Sequence, residues 1–285
     1  MSSNLVSDIK FEKWQALGND YLIFEQADLP WELTAERIHK ICHPHFGVGS
    51  DGILLLAPDP SGEHVAHLRI FNPDGSEAEL SGNGAREAVL YLRRSGWTDR
   101  DEFTVITKAG VVRPTITSPT TAAMDIGRAT TRSDDYPGGA EDGRGTLVAD
   151  GREWNFRHVN VGNPQCVIEV DEGLEELDLP AIGPAIENNE IFPNRTNVSF
   201  VSREGSRVRA RIFERGVGET LSSGTGASGA AVNAFLSGAE SPITVVLDGG
   251  ELTVEITDDL DLRLTGEGHP IYAGRLSAEF AASLR

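Results

Sequence analysis

Residues 69–96 and 211–238 are two copies of one segment, set 142 positions apart in a chain of 285. Arg69-Ile70-Phe71 aligns with Arg211-Ile212-Phe213, and Glu77 aligns with Glu219. Ser81-Gly82-Asn83-Gly84-Ala85 aligns with Ser223-Gly224-Thr225-Gly226-Ala227, and Ser95-Gly96 with Ser237-Gly238. Without a gap, 11 of 28 positions are identical, where chance gives about two. An offset of half the chain predicts two similar halves. A Gly-rich turn present in both predicts one site built symmetrically from both, which suits chemistry on the two faces of one atom.

Local signals place that turn. Residues 85–94 read as a helix with Ala88, Val89 and Leu92 on one stripe, closed by Gly96. Residues 223–237 read as its counterpart, closed by Gly238; it is apolar almost all round and is therefore expected to be buried. The first half opens with a strand–turn–strand over 11–26, around Leu17-Gly18-Asn19-Asp20, followed by a helix over 34–42 capped by Thr34. Strands follow at 53–57 and 65–71, then a turn at Asn72-Pro73-Asp74-Gly75. Further short β runs are expected at 102–107, 110–116, 157–161, 166–170, 198–202, 208–213, 243–247, 251–256 and 262–265. The Gly-, Asp- and Ser-rich stretch 131–145 reads as the link between halves. The expected fold class is α/β: two pseudo-symmetric halves, each a β-rich layer around one central helix, with the repeated turn at that helix's N-terminus.

A helix N-terminus offers unpaired N–H groups and a partial positive charge, and glycine lets a ligand approach the backbone. Such a turn binds an anion, carboxylate or phosphate. Other motifs fail. A hydrolase nucleophile elbow needs Gly two residues before the Ser, where this chain has Glu79 and Leu221. No Lys follows either glycine turn as a phosphate loop requires, and no Gly-x-Gly-x-x-Gly follows a strand.

The charge bounds the partners. A net charge of −19, with 44 acids against 25 bases of which four are lysine, reads as a solvated acidic surface of the salt-adapted type. It repels phosphate backbones, so nucleic acid is not expected as a partner. No apolar run approaches the roughly 18 residues of a membrane span. The polar stretch 1–10 lacks a signal-type apolar segment, so a cytoplasmic location is expected. Cys42 and Cys166 are the only cysteines, too few for a disulfide framework. His39, Cys42, His43 and His45 cluster, but no second ligand pair lies near them and no metal is expected there.

The segment 71–86, running Phe-Asn-Pro-Asp-Gly-Ser-Glu-Ala-Glu-Leu-Ser-Gly-Asn-Gly-Ala-Arg, resembles the first active-site segment of the diaminopimelate epimerase family. Residues 214–227, from Glu214-Arg215-Gly216-Val217-Gly218-Glu219 to Gly226-Ala227, resemble the second. Leu17-Gly18-Asn19-Asp20, His45-Phe46-Gly47-Val48-Gly49, Val161-Gly162-Asn163-Pro164 and Thr196-Asn197-Val198 match in order and spacing, so the resemblance covers nearly the whole chain. It implies two β-barrel-like halves, each closed on a central helix: 1–128 completed by 270–285, and 129–269, with the site in the cleft between. It implies a cofactor-independent isomerase that interconverts LL- and meso-diaminopimelate in lysine biosynthesis by two-base proton transfer at the α-carbon. A small amino dicarboxylate would be its partner, and a homodimer is left open. By position, Gly82, Asn83, Gly224 and Thr225 would hold the α-carboxylate between the two helix N-termini. Asn19, Asn72, Asn163, Asn197, Glu214 and Arg215 would hold the amino groups and the distal carboxylate. Read by themselves, Asn19 and Asn72 are also ordinary turn residues, and Glu214 and Arg215 an ordinary surface pair.

The chain departs from the family at its centre. The acid–base pair is two cysteines in the family; here Ser81 and Ser223 stand in their places. Glu87 and Ser228 occupy two nearby positions where cysteine is common, and Gln165 replaces the histidine after the Gly-Asn-Pro turn. A thiol can be a thiolate near neutrality, whereas a serine hydroxyl needs a base partner. Glu214, Glu77 and Glu219 are the candidates. Three readings follow: an epimerase impaired by the two serines, an engineered double Cys→Ser form trapped to hold substrate; a natural Ser/Ser relative acting as isomerase, racemase or dehydratase on another amino acid; or a non-catalytic amino-acid-binding relative.

Overall fold

Short alternating runs bounded by glycine turns become strands throughout residues 9–285, the part of the chain that this computed structural model describes. Residues 1–8, most of the polar opening stretch, lie outside the described residues. In chain order the strands are β1 (Lys10–Ala16), β2 (Asn19–Glu25), β3 (Ile53–Ala57), β4 (Ala66–Phe71), β5 (Glu77–Ala78), β6 (Val105–Thr107), β7 (Gly110–Val112), β8 (Pro114–Ser118), β9 (Thr121–Arg128) and β10 (Arg144–Ala149). They continue with β11 (Arg152–Asn160), β12 (Pro164–Glu169), β13 (Asn197–Glu204), β14 (Arg207–Glu214), β15 (Gly218–Thr220), β16 (Ile243–Leu247), β17 (Gly250–Ile256), β18 (Asp261–Glu267) and β19 (His269–Arg275). The helices are α1 (Ala35–Cys42), α2 (Gly82–Arg94), α3 (Leu179–Glu187), α4 (Gly224–Leu236) and α5 (Ala278–Ser283).

Two compact units result. The first holds the chain up to Met124 together with Glu267–Arg285; the second is Asp125–Gly266, so the chain passes from one to the other inside β9. Sheet order shows the duplication. The first unit runs β19-β1-β2-β3-β4-β6-β7 with β5 on β4; the second runs β10-β11-β12-β13-β14-β16-β17 with β15 on β14, and β18 beyond β17. In both, the third and fourth strands of the path pair parallel, as do the fifth and sixth. Both orders are open paths, so each half is a curved mixed α/β layer rather than a closed barrel.

In the first unit the central sheet is buried on both faces, and the pleat sorts its side chains. Ile23, Leu54, Leu56, Leu68 and Ile70 face a core shared with Ala88, Val89 and Leu92 of α2. Leu22, Phe24, Ile53, Leu55 and Phe71 face the other core, with Ile38 and Ile41 of α1 and Leu284 beyond α5. Two-faced burial explains why 53–57 is an unbroken apolar run. Each such aliphatic side chain contributes about 1.5–3 kcal/mol by leaving water. In the second unit, α3 covers Trp154, Ile168, Val198 and Phe200 with Leu179, Ile182 and Ile186, while α4 packs on β11–β14, β16 and β17. Glycine permits that approach: a Cβ on Gly226 would sit 2.6 Å from Ile212, and one on Gly229 would sit 2.9 Å from Gln165.

Three expectations need correction. The stretch 131–145 is not a link but part of the second unit: Thr130 pairs with Asn160, Tyr136 packs on Phe156, His158 and Phe192, and β10 begins at Arg144. The single strand expected over 110–116 is two, broken before Pro114, which has no N–H for a ladder. Helix α3 was hidden by Pro180, Gly183 and Pro184; Asp178 caps it by accepting from Ala181 N–H, and Gly183 leaves room for the Phe213 ring.

Candidate active site

Both central helices start on the repeated serine. Ser81 is the N-cap of α2, and its Oγ accepts the Gly84 N–H at 3.1 Å; Ser223 is the N-cap of α4, and its Oγ accepts the Gly226 N–H at 3.2 Å. Regular helical bonds begin only at Ala85 N–H and Ala227 N–H. The helices therefore start three residues before 85 in the first copy, and the N–H groups of Gly82 and Gly224 point out of their helices. Around the Gly82 Cα there is open space: a Cβ there would meet nothing within 4 Å. At Gly224 the nearest atom to an added Cβ would be Leu264 Cδ2 at 3.4 Å; a helix N-terminus this open has the chemistry to cradle an anion.

In the first unit, the cradle is tied to the β1–β2 turn. Asn83 Nδ2 donates to Asn19 Oδ1 at 3.4 Å, Asn19 Nδ2 to Asp51 Oδ2 at 2.9 Å, and Arg86 Nη2 to Asn83 Oδ1 at 2.8 Å. The Tyr21 hydroxyl donates to Ser81 Oγ at 3.3 Å. That ring is clamped: Cβ atoms on Gly52 and Gly84 would lie 2.6 and 3.3 Å from it. Asn72 does not join the cluster. Its Nδ2 donates to Ser76 Oγ at 2.9 Å within its own turn, the ordinary turn role.

In the second unit, Asn163 Nδ2 donates to Thr225 Oγ1 at 3.3 Å, and Gln165 Nε2 donates to Asn163 Oδ1 at 2.7 Å. Gln165, which stands where the family resemblance expects a histidine, is fully buried. Asn197 Oδ1 accepts the Arg215 N–H at 2.7 Å, while Arg215 Nη1 donates to the Asn194 carbonyl at 2.7 Å. Glu214 does not pair with its neighbour Arg215. Its carboxylate accepts from Thr220 Oγ1 at 2.9 Å, and the nearby Ser223 hydroxyl also lowers its proton affinity. Burial pushes the Glu214 carboxyl up, and these two hydroxyls partly offset that. A carboxylate of raised proton affinity beside an alcohol has the chemistry to take its proton.

Glu77 and Glu219 are removed as candidate bases. Glu77 takes Arg69 Nε and Nη2 at 3.1 and 2.8 Å, and Glu219 takes Arg211 Nε and Nη2 at 2.9 and 2.7 Å. The matched Arg and Glu positions of the repeat are one structural device, an ion pair bracing β4 to β5 and β14 to β15. The Arg69 guanidinium holds the Glu77 carboxyl below the usual carboxylate range.

Cys42 and Cys166 are core residues whose thiols burial pushes up, that of Cys42 to about 12. In the histidine cluster, His43 Nδ1 accepts the His45 and Phe46 N–H groups, and no group of three or more metal-type ligands converges among the described residues. Sequence reasoning missed Tyr21, whose only signal was a hydroxylated ring two residues after Asn19, and Thr220.

No helix among the described residues is long and apolar enough to cross a membrane. The diaminopimelate epimerase family model matches residues 11–132 and 157–270. Diaminopimelate epimerase 2 of Nostoc sp. is 40% identical over 280 residues, covering 96% of this chain and 98% of that protein. The diaminopimelate epimerase of Halothermothrix orenii is 32% identical over 280 residues, covering 94% and 98%. Among solved structures, a phenazine biosynthesis protein of the PhzF family from Bacillus anthracis superposes with a TM-score of 0.67 at 19% identity, over 94% of this chain and 99% of that one. A hydroxyproline epimerase from Agrobacterium vitis gives 0.64 at 15%, over 97% and 94%. The latter two share the fold alone; the sequence matches along almost the full length carry the conclusion that this chain is an isomerase-type member of the diaminopimelate epimerase family.

Proposed function

We propose that this protein inverts the α-carbon of diaminopimelate, interconverting the LL and meso forms for lysine biosynthesis, without a cofactor. The observation that carries the reading is the duplicated cradle: two helix N-termini, each capped by a serine that has its own proton partner. The reaction asks for one proton-handling group on each face of the α-carbon, and each unit supplies one. Gly82, Asn83, Gly224 and Thr225 take the α-carboxylate, whose charge grows as the proton leaves. Asn19, Asn163, Asn197 and Arg215 take the amino groups and the distal carboxylate. An alcohol is a weaker acid than a thiol, so the serine pair makes this a slower catalyst than a cysteine pair would.

The test is α-proton exchange in heavy water with LL- and meso-diaminopimelate, run beside a panel of other amino acids. Exchange and inversion confined to diaminopimelate support the reading. One observation favours a second: Gln165 and both serines depart from the family together, as a shift to another amino acid would require. Exchange with a different member of the panel selects that reading. Binding without exchange selects a non-catalytic role.

A further inference from the structure

The two serines differ in what their partners do with a proton. A hydroxyl has one donor hydrogen and two acceptor lone pairs. Ser81 Oγ accepts twice, from Gly84 N–H at 3.1 Å and from the Tyr21 hydroxyl at 3.3 Å. Its own hydrogen is left to point at whatever occupies the cradle. Ser223 Oγ accepts once, from Gly226 N–H at 3.2 Å, and its hydroxyl lies near the buried Glu214 carboxyl, whose proton affinity it lowers. It keeps a lone pair for the cradle. The first serine is arranged to donate and the second to accept.

We infer that Tyr21 is a positioning residue that makes Ser81 the proton-donating side of the reaction, with the phenol as the source from which Ser81 is recharged. This rests on the proposed inversion at an α-carbon. The protons balance as follows. The Cα–H bond breaks, its proton goes to Ser223 Oγ, and the proton already on Ser223 passes to Glu214. The electron pair stays on the α-carbon, delocalised into the carboxylate held by the helix N-termini. Ser81 gives its proton to the opposite face and takes one from Tyr21. The turnover leaves a neutral Glu214 and a Tyr21 phenolate, and the reverse turnover or exchange with solvent restores both. A phenol suits this task because it is a far stronger acid than an aliphatic alcohol, with a reference pKa of about 10. The ring is packed closely between Gly52 and Gly84, where added Cβ atoms would lie 2.6 and 3.3 Å from it, and in that place its hydroxyl reaches Ser81 at 3.3 Å.

The test is Tyr21→Phe, made both in the natural chain and in Ser81→Cys, with kcat and KM read on the amino acid that exchanges. In the natural chain kcat is expected to fall about 10- to 100-fold with KM within about twofold, as loss of a proton-transfer partner gives. In Ser81→Cys the same change is expected to cost less than about threefold, because a thiol needs no phenol to recharge it. Packing alone would make the two losses equal, and equal losses overturn the inference. Thermal melting of each variant shows whether it folds. A fluorinated tyrosine at position 21 keeps the fold and makes the phenol more acidic. Activity that needs a protonated phenol falls as pH rises through its pKa, so the alkaline limb is expected to move to lower pH; an unmoved limb overturns the inference. Exchange by the unmodified chain together with an unaffected Tyr21→Phe overturns this inference alone. No α-proton exchange with any amino acid overturns it together with the proposed function.

Discussion

Ser81 and Ser223 occupy the same N-cap position, start helices of the same length and accept a hydrogen bond from the same glycine of the repeat. What surrounds them is not duplicated. A tyrosine from β2 serves the first, and a glutamate ending β14 serves the second. The duplicated sequence therefore gives each unit a serine-capped helix N-terminus, and residues outside the matched positions surround the two caps differently. A proton-transfer reaction of the proposed kind would need both features.

The largest expected effect removes the need for the partners. Ser81→Cys with Ser223→Cys should raise inversion of diaminopimelate by several orders of magnitude, since proton transfer by a positioned group contributes about 10²–10⁴-fold each. The two act in series on one carbon, so each single change should recover much less. A double variant no faster than the natural chain would mean that the serines are not weaker stand-ins for thiols. Next in size is Glu214→Gln, expected to lower kcat about 10²- to 10³-fold with little change in KM, because the base of the accepting side is lost while the cradle is kept. On the proposed function Glu214 works ionised; burial raises its proton affinity. In the natural chain kcat should therefore fall as pH drops through that raised value, above the ordinary carboxylate range. A flat acid limb would place the base elsewhere.

Much of this was legible in the sequence because it is local. The 142-residue repeat marks the capped helices, alternation marks β4, β13 and β14, and an unbroken apolar run marks β3. Conversely, the partners of the serines were not legible, because they are set by sheet topology: Tyr21 lies 60 positions from Ser81 and reaches it only through the packing of β2 against α2. The matched glutamates misled for the opposite reason. Glu77 and Glu219 are repeated with the serines, yet they are repeated as halves of an ion pair whose other half, Arg69 or Arg211, lies eight positions upstream on the hairpin partner. Duplication alone cannot separate a repeated brace from a repeated catalyst.

That brace sharpens the comparison in stability. The Arg211 side chain is 12% exposed and also donates to the Leu174 and Leu177 carbonyls at 3.0 and 2.8 Å, whereas Arg69 is 41% exposed and bonds only Glu77 among the side chains that contact it. Arg211→Met strands the Glu219 carboxylate and the three carbonyls of Leu174, Glu175 and Leu177 that Arg211 bonds, and it should cost about 3 kcal/mol in chemical denaturation. Arg69→Met should cost under about 1 kcal/mol, as an exposed pair does. Equal losses would show that the two braces are energetically as well as geometrically duplicated.

The smallest effect is read where the helices differ most. Position 87 of α2 aligns with Gly229 of α4, and the first unit buries there a glutamate whose carboxyl oxygens find no hydrogen-bond partner. Burial pushes the Glu87 carboxyl well up, with the Arg86 charge partly opposing. The folded chain therefore holds a proton at Glu87 that the unfolded chain releases above its ordinary value of 4.5. The sign follows: between that value and the raised one the native state binds more protons, so stability falls as pH rises. The slope in that window is at most about 1.4 kcal/mol per pH unit for one group. Glu87→Gln keeps the shape and cannot ionise, so its stability should be flatter with pH, matching the natural chain at low pH and exceeding it near neutrality. Denaturation midpoints of the two proteins from pH 4 upward decide it. Curves that stay parallel, or a Gln variant weaker at every pH, would show instead that Glu87 is ionised and serves as the counter-charge of Arg86.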